Sequence, residues 1–141
     1  YLRAIYQSGI LFIELPSGRR LAYVKPKVVE DERYPGKEKI TFQAVDEKTW
    51  QWVEEDTYGG KLVENIVQAV ARDCLAHSML KLDYHWFDIV MHVHDECVIE
   101  VSKEDHDSLE NICSLMGEPI PWAPGLSLKA DGYECFYYQK D

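Results

Sequence analysis

The chain has 141 residues, 46% of them hydrophobic, with four Trp and nine Tyr; that suffices for about one domain with a buried core and excludes a disordered acidic tail. Lys and Arg number 15 against 25 Asp and Glu, a formal charge of −10, so it lacks the basic surface with which a self-sufficient nucleic-acid module neutralises phosphates. Either it leaves nucleic acid alone or it forms one wall of a site whose positive charge lies elsewhere; the second reading is preferred, and the chain by itself is expected to bind DNA poorly.

Residues 1–8 read as the end of a helix stopped by Gly9. Residues 11–15, the turn Pro16-Ser17-Gly18 and residues 19–24 read as an N-terminal β-hairpin, with Pro and Gly setting the turn. Residues 25–39, charged and broken by Pro26, Pro35 and Gly36, read as a loop. Residues 40–45 read as a strand, and residues 50–55 are ambiguous.

The clearest helix spans about 57–84. Leu62, Ile66, Val70 and Cys74 recur beside Val63, Val67, Ala71 and Leu75, a broad apolar face at helical period. Lys61, Asn65, Gln68 and Arg72 fall in one narrow sector of the other side. A solvated face is the plain reading, yet an Asn and a Gln between two cations also suit hydrogen bonding to a ligand. A hairpin follows at 89–101. Ser102 reads as an N-cap with Asp105 approximating a capping box. Leu109, Ile112, Cys113 and Met116 form the stripe of a second helix, stopped by Gly117. Pro119, Pro121 and Pro124 stiffen a loop holding Trp122, and residues 126–130 and 133–138 read as closing strands. The expected class is α+β: an antiparallel sheet with a long and a shorter helix on one face, plus the N-terminal hairpin.

No apolar run approaches the roughly 18–20 residues that cross a bilayer, and the first six residues do not form a signal peptide. Without an initial Met the sequence reads as one entered partway through. Cys74, Cys97, Cys113 and Cys135 form no C-x-x-C pair, and three sit in apolar periodic segments like small buried hydrophobes. A reducing, cytoplasmic setting is expected.

The chemistry concentrates in Val93-His94-Asp95-Glu96 and Val98-Ile99-Glu100-Val101. β-Branched, alternating segments flank an abrupt His-Asp-Glu, which places two adjacent carboxylates at a hairpin tip. Carboxylate oxygens are hard ligands suited to Mg²⁺, which takes one or two of them and completes its shell with water and phosphate oxygens. Phosphoryl transfer is the chemistry such a tip serves.

This motif closely resembles the palm motif carrying a catalytic aspartate in A-family DNA polymerases, the DNA polymerase I type and its phage or prophage relatives. Leu15-Pro16-Ser17-Gly18-Arg19-Arg20-Leu21 resembles their fingers hairpin. Tyr58-Gly59-Gly60-Lys61-Leu62-Val63-Glu64-Asn65-Ile66-Val67-Gln68-Ala69-Val70-Ala71-Arg72-Asp73 resembles the palm helix before the catalytic hairpin. Residues 121–133 are similar to phage-type endings. The resemblance implies that Asp95 coordinates the catalytic metals, with Glu96 in a secondary catalytic role. It implies DNA contacts for His94 near the primer terminus and for Gln68 in the minor groove, with Lys61, Asn65 and Arg72 on the same helix face. Asn65 stands one residue nearer the glutamine than in the bacterial enzymes. Arg19 and Arg20 match basic residues of the fingers hairpin, or are strand-end solubilising charges.

The family's other metal-binding aspartate, in an Asp-Tyr-Ser-x-Ile-Glu type string, and its nucleotide-binding helix have no counterpart here. The resemblance therefore implies part of a longer polymerase: residues 1–56 as the end of the fingers and 57–141 as the latter half of the palm. It implies two Mg²⁺ ions in the intact enzyme, with Mn²⁺ as a substitute. The implied partners are primer-template DNA, dNTP and the rest of the polymerase chain, with no membrane. The piece alone is expected to be inactive. Two other classes stay open. One is a metallohydrolase using His92, His94 and Asp95, with His77, His85 and His106 elsewhere. The other is a non-catalytic accessory domain with a polymerase-like fold.

Overall fold

A computed structural model describes residues 1–105 and 108–138 of the chain. Ser8 and Gly9 both take left-handed backbone, with φ of 53° and 78°, and Gln7 pairs directly with Ile10. A two-residue turn with both central φ positive matches the twist of paired strands. The expected helix at residues 1–8 is therefore a strand, β1 (Arg3–Gln7), turning into β2 (Ile10–Glu14). Gly9 misled because a helix C-terminus and this turn both need positive φ.

The chain divides into two compact units, Tyr1–Val70 and Ala71–Asp141. In the first, β1 and β2 continue through β3 (Arg20–Glu30), β4 (Glu38–Val45) and β5 (Trp52–Thr57) as a five-stranded antiparallel meander in chain order. The expected hairpin around residues 16–18 is the β2–β3 turn: Gly18 N–H donates to the Leu15 carbonyl at 2.9 Å. The expected loop at 25–39 shrinks to residues 31–37, because β3 runs through Pro26. Val24 pairs with Gln43 and Lys27 with Thr41, so β3 carries one extra residue there. A bulge of this kind lets proline, which has no N–H for the ladder, sit inside a strand. The ambiguous segment at 50–55 is settled as β5 by its pairing with β4. Leu15 and Tyr23 are buried, and Tyr23 meets Phe42 edge to face at 5.1 Å.

Helix α1 (Gly59–Tyr84) begins in the first unit and continues into the second. Its apolar arc is wider than what the described chain covers. Ala69, Cys74, Leu75 and Leu82 are buried, but Val63 and Val67 of the expected core face are 59% and 60% exposed.

The second unit holds β6 (Asp88–Val93), β7 (Glu96–Glu100) and α2 (Ser108–Gly117). Ser102 does not cap that helix. Its hydroxyl accepts from Glu104 N–H at 3.4 Å and its carbonyl from Asp105 N–H at 3.1 Å, which closes a turn. Serine's reach two residues ahead serves turns and caps alike. Residues 126–130 and 133–138 are not strands. Alternation makes a strand only where another edge accepts its ladder bonds, and among the described residues neither segment has such a partner. His106 lies outside the described residues. Among the described residues the class is α+β, with two helices, antiparallel sheets and the N-terminal hairpin. No helix among the described residues is long and apolar enough to cross a membrane.

Candidate active site

In the β6–β7 hairpin Val93 pairs with Glu96, so His94 and Asp95 alone make the turn. His94 has φ of 49°, a left-handed conformation that costs a side chain with Cβ about 1–2 kcal/mol. Asp95 is exposed at this apex and makes no hydrogen bond or ion pair with the described residues. Its oxygens are open to an incoming cation.

A bulge lies in β6. Ile89 pairs with Ile99 but Met91 with Val98, so Val90 is the extra residue. Bulges re-aim side chains near functional sites. Here the shift sets Ile89 on the face that carries His92, Cys97 and Ile99, instead of the face of Met91 and Val93. On that face Arg72 of α1 lies 3.2 Å from His92 Nδ1. A guanidinium only donates, so Nδ1 is the acceptor and the ring proton sits on Nε2. Burial raises the Cys97 thiol above its usual range, with the Arg72 charge working against it.

Glu96 opens β7, and its Oε1 accepts a hydrogen bond from the Tyr138 hydroxyl at 2.8 Å. That bond is the main reason the Tyr138 hydroxyl is harder to ionise than usual, ahead of burial and the Glu96 charge. No sequence pattern pointed to Tyr138, since a pairing 42 residues apart leaves no local signal.

Among the described residues no three His, Cys, Asp or Glu side chains converge as a metal cluster. His92, bound by Arg72, and His94 and Asp95 at the turn therefore form no zinc-type ligand set there. Asp95 fits the other arrangement, a single exposed carboxylate that can hold one corner of a shared cation site.

The remaining expected residues lie on the first unit's part of α1. Asn65 Nδ2 donates to the buried Tyr23 hydroxyl at 3.2 Å, and Gln68 Nε2 to Glu64 Oε1 at 3.3 Å. Lys61 is exposed and makes no ion pair with the described residues. Arg19 donates to the Ala69 carbonyl of α1 at 2.9 Å, tying the β2–β3 turn to the helix. Arg20 pairs with its cross-strand neighbour Glu14 at 2.8 Å. Arg19 thus has a structural partner that sequence reading missed.

Over 140 residues the chain is 54% identical to a protein named DNA polymerase from Bacillus phage SP02, a match covering 99% of this chain and 21% of that protein. The chain therefore spans about a fifth of the length of the curated relative it matches. No model of a known protein family matches the chain, and neither does any solved structure.

Proposed function

We propose that this chain is part of a longer phage-type DNA polymerase of the A family, in which Asp95 is a catalytic carboxylate. The observation that carries the reading is the 54% identity to a phage DNA polymerase along nearly the whole chain. The free, exposed Asp95 at the apex of a two-residue turn supports it. So does the uncovered apolar surface of α1 at Val63, Val67 and Leu80, 59%, 60% and 72% exposed, which the rest of the polymerase would cover. Residues 1–56 then close the fingers and 57–141 complete the palm.

In this reading Asp95 and a carboxylate from elsewhere in the polymerase hold two divalent cations, Mg²⁺ or Mn²⁺. When bound, such ions would activate the primer 3′-hydroxyl and stabilise charge on the phosphate of the incoming dNTP. The turn sets the backbone of Asp95 at the hairpin tip, and its side chain, without a partner among the described residues, is able to turn towards them. Gln68, Lys61 and Arg72 present donors along one exposed row of α1 to the primer-template, while Asn65 in the same row is turned to Tyr23. Minor-groove acceptors occur on every base pair, so these donors check shape without reading sequence. His94 faces the primer end, and Glu96 acts in support of Asp95. The enzyme works in the cytoplasm.

The test is Asp95→Asn in the intact polymerase. The swap preserves shape and removes the charge, so primer extension is expected to fall on the order of a thousandfold with folding unchanged. Near-parental extension would overturn the assignment. Stoichiometric zinc that is lost on His92→Ala would favour the hydrolase instead.

A further inference from the structure

Glu96 neighbours the free Asp95, and the residue that holds it comes from the last described segment of the chain. That segment is held to the second unit at several points. Gly132 packs so closely on α2 that an added Cβ would lie 3.0 Å from Leu109 Cδ1. The Phe136 ring takes the Lys103 ammonium at 5.3 Å, and the Tyr138 hydroxyl reaches Glu96 Oε1 at 2.8 Å. Residues 132–138 thus run as a tether from α2 to the hairpin apex without pairing as a strand.

A carboxylate next to the turn has two oxygens and two options. Unheld, it can swing towards any cation bound by Asp95 and compete for its shell. With Oε1 accepting from a phenol at 2.8 Å, its side chain is biased towards one orientation, and Oε2 with the remaining lone pair of Oε1 stays available. We propose that Tyr138 is a positioning residue that fixes Glu96 beside Asp95, so that residues 132–138 serve as a strap orienting the acidic turn. The proposal rests on the polymerase reading for its effect on rate, but the tether itself is a property of this chain.

The test is a double-mutant cycle in the intact polymerase with Tyr138→Phe and Glu96→Ala, joined to the rate of chymotrypsin cleavage after the exposed Phe136 and Tyr137 without added metal. Tyr138→Phe keeps the ring and loses only the donor. Because hydrogen bonds to charged groups are among the stronger ones, kcat is expected to fall about five- to tenfold, with KM for dNTP within about twofold. In the Glu96→Ala background the same change should cost nothing further, since its target is gone. Each single variant should speed cleavage in the strap. Equal losses in both backgrounds, or cleavage unmoved by either variant, would overturn the proposal. A parent protein without polymerase activity would sink the polymerase reading instead, and cleavage would still decide the tether.

Discussion

At His94 the backbone stands at φ 49°, in a region where glycine would be at ease. Strain of this kind persists where surrounding structure over-determines it, and it clusters at functional sites. His94→Gly in this chain is expected to raise the unfolding free energy by about 1 kcal/mol, read as a higher urea midpoint at unchanged slope. In the intact polymerase the same variant should lose primer extension. A lower midpoint would mean that the imidazole itself holds the turn. A second residue-level effect concerns acid. Lys81 bonds Glu118 at 2.7 Å, and that hydrogen bond, with the Lys81 charge, holds the Glu118 carboxyl below its usual value of 4.5. A carboxylate with a lowered folded value stabilises the fold above its unfolded pKa and loses that contribution as pH falls through the folded value. Glu118→Gln should therefore flatten the stability curve only in the acid range below about 4.5, by an amount that salt diminishes, because the pair is exposed to solvent.

Helix α1 ends on a non-glycine cap. Phe87 N–H reaches the Leu82 carbonyl at 3.1 Å and Trp86 N–H the Asp83 carbonyl at 2.9 Å, with Trp86 left-handed at φ 65°. This bonding pattern ordinarily takes glycine at the left-handed position. Trp86 is 93% exposed, so its ring contributes little packing to the described chain. Trp86→Gly is expected to stabilise the chain by about 1 kcal/mol, measured by thermal unfolding; a loss would show that the indole packs in solution. At this scale the elements divide by the kind of signal they carry. The long helix and the acidic hairpin were legible because their periodicity is local and strong. β1, the second half of β3 and the start of α2 were not, because Gly9, Pro26 and Ser102 each serve two local structures and only pairing chooses between them.

The whole molecule carries a charge of −10, and its row of candidate DNA donors on α1 includes only Lys61 and Arg72 as cations. Each phosphate contact adds to affinity by releasing counterions, so so few contacts mean weak binding. The 141-residue chain is expected to bind primer-template DNA with a Kd above about 10 μM at physiological salt and to incorporate no nucleotide. Tight binding in a gel-shift titration, or extension by the chain alone, would show that it needs no second half.

The linear order of residues by itself determined the α+β class, the long helix and the acidic turn, because helical period, alternation and turn chemistry act between near neighbours. The tertiary structure alone decided that Tyr138 holds Glu96, that Arg72 meets His92, that Arg19 and Asn65 tie α1 to the meander, and which part of the apolar arc is covered. Those contacts join residues far apart in the chain, and close approach in space leaves no periodic trace in the order of the residues.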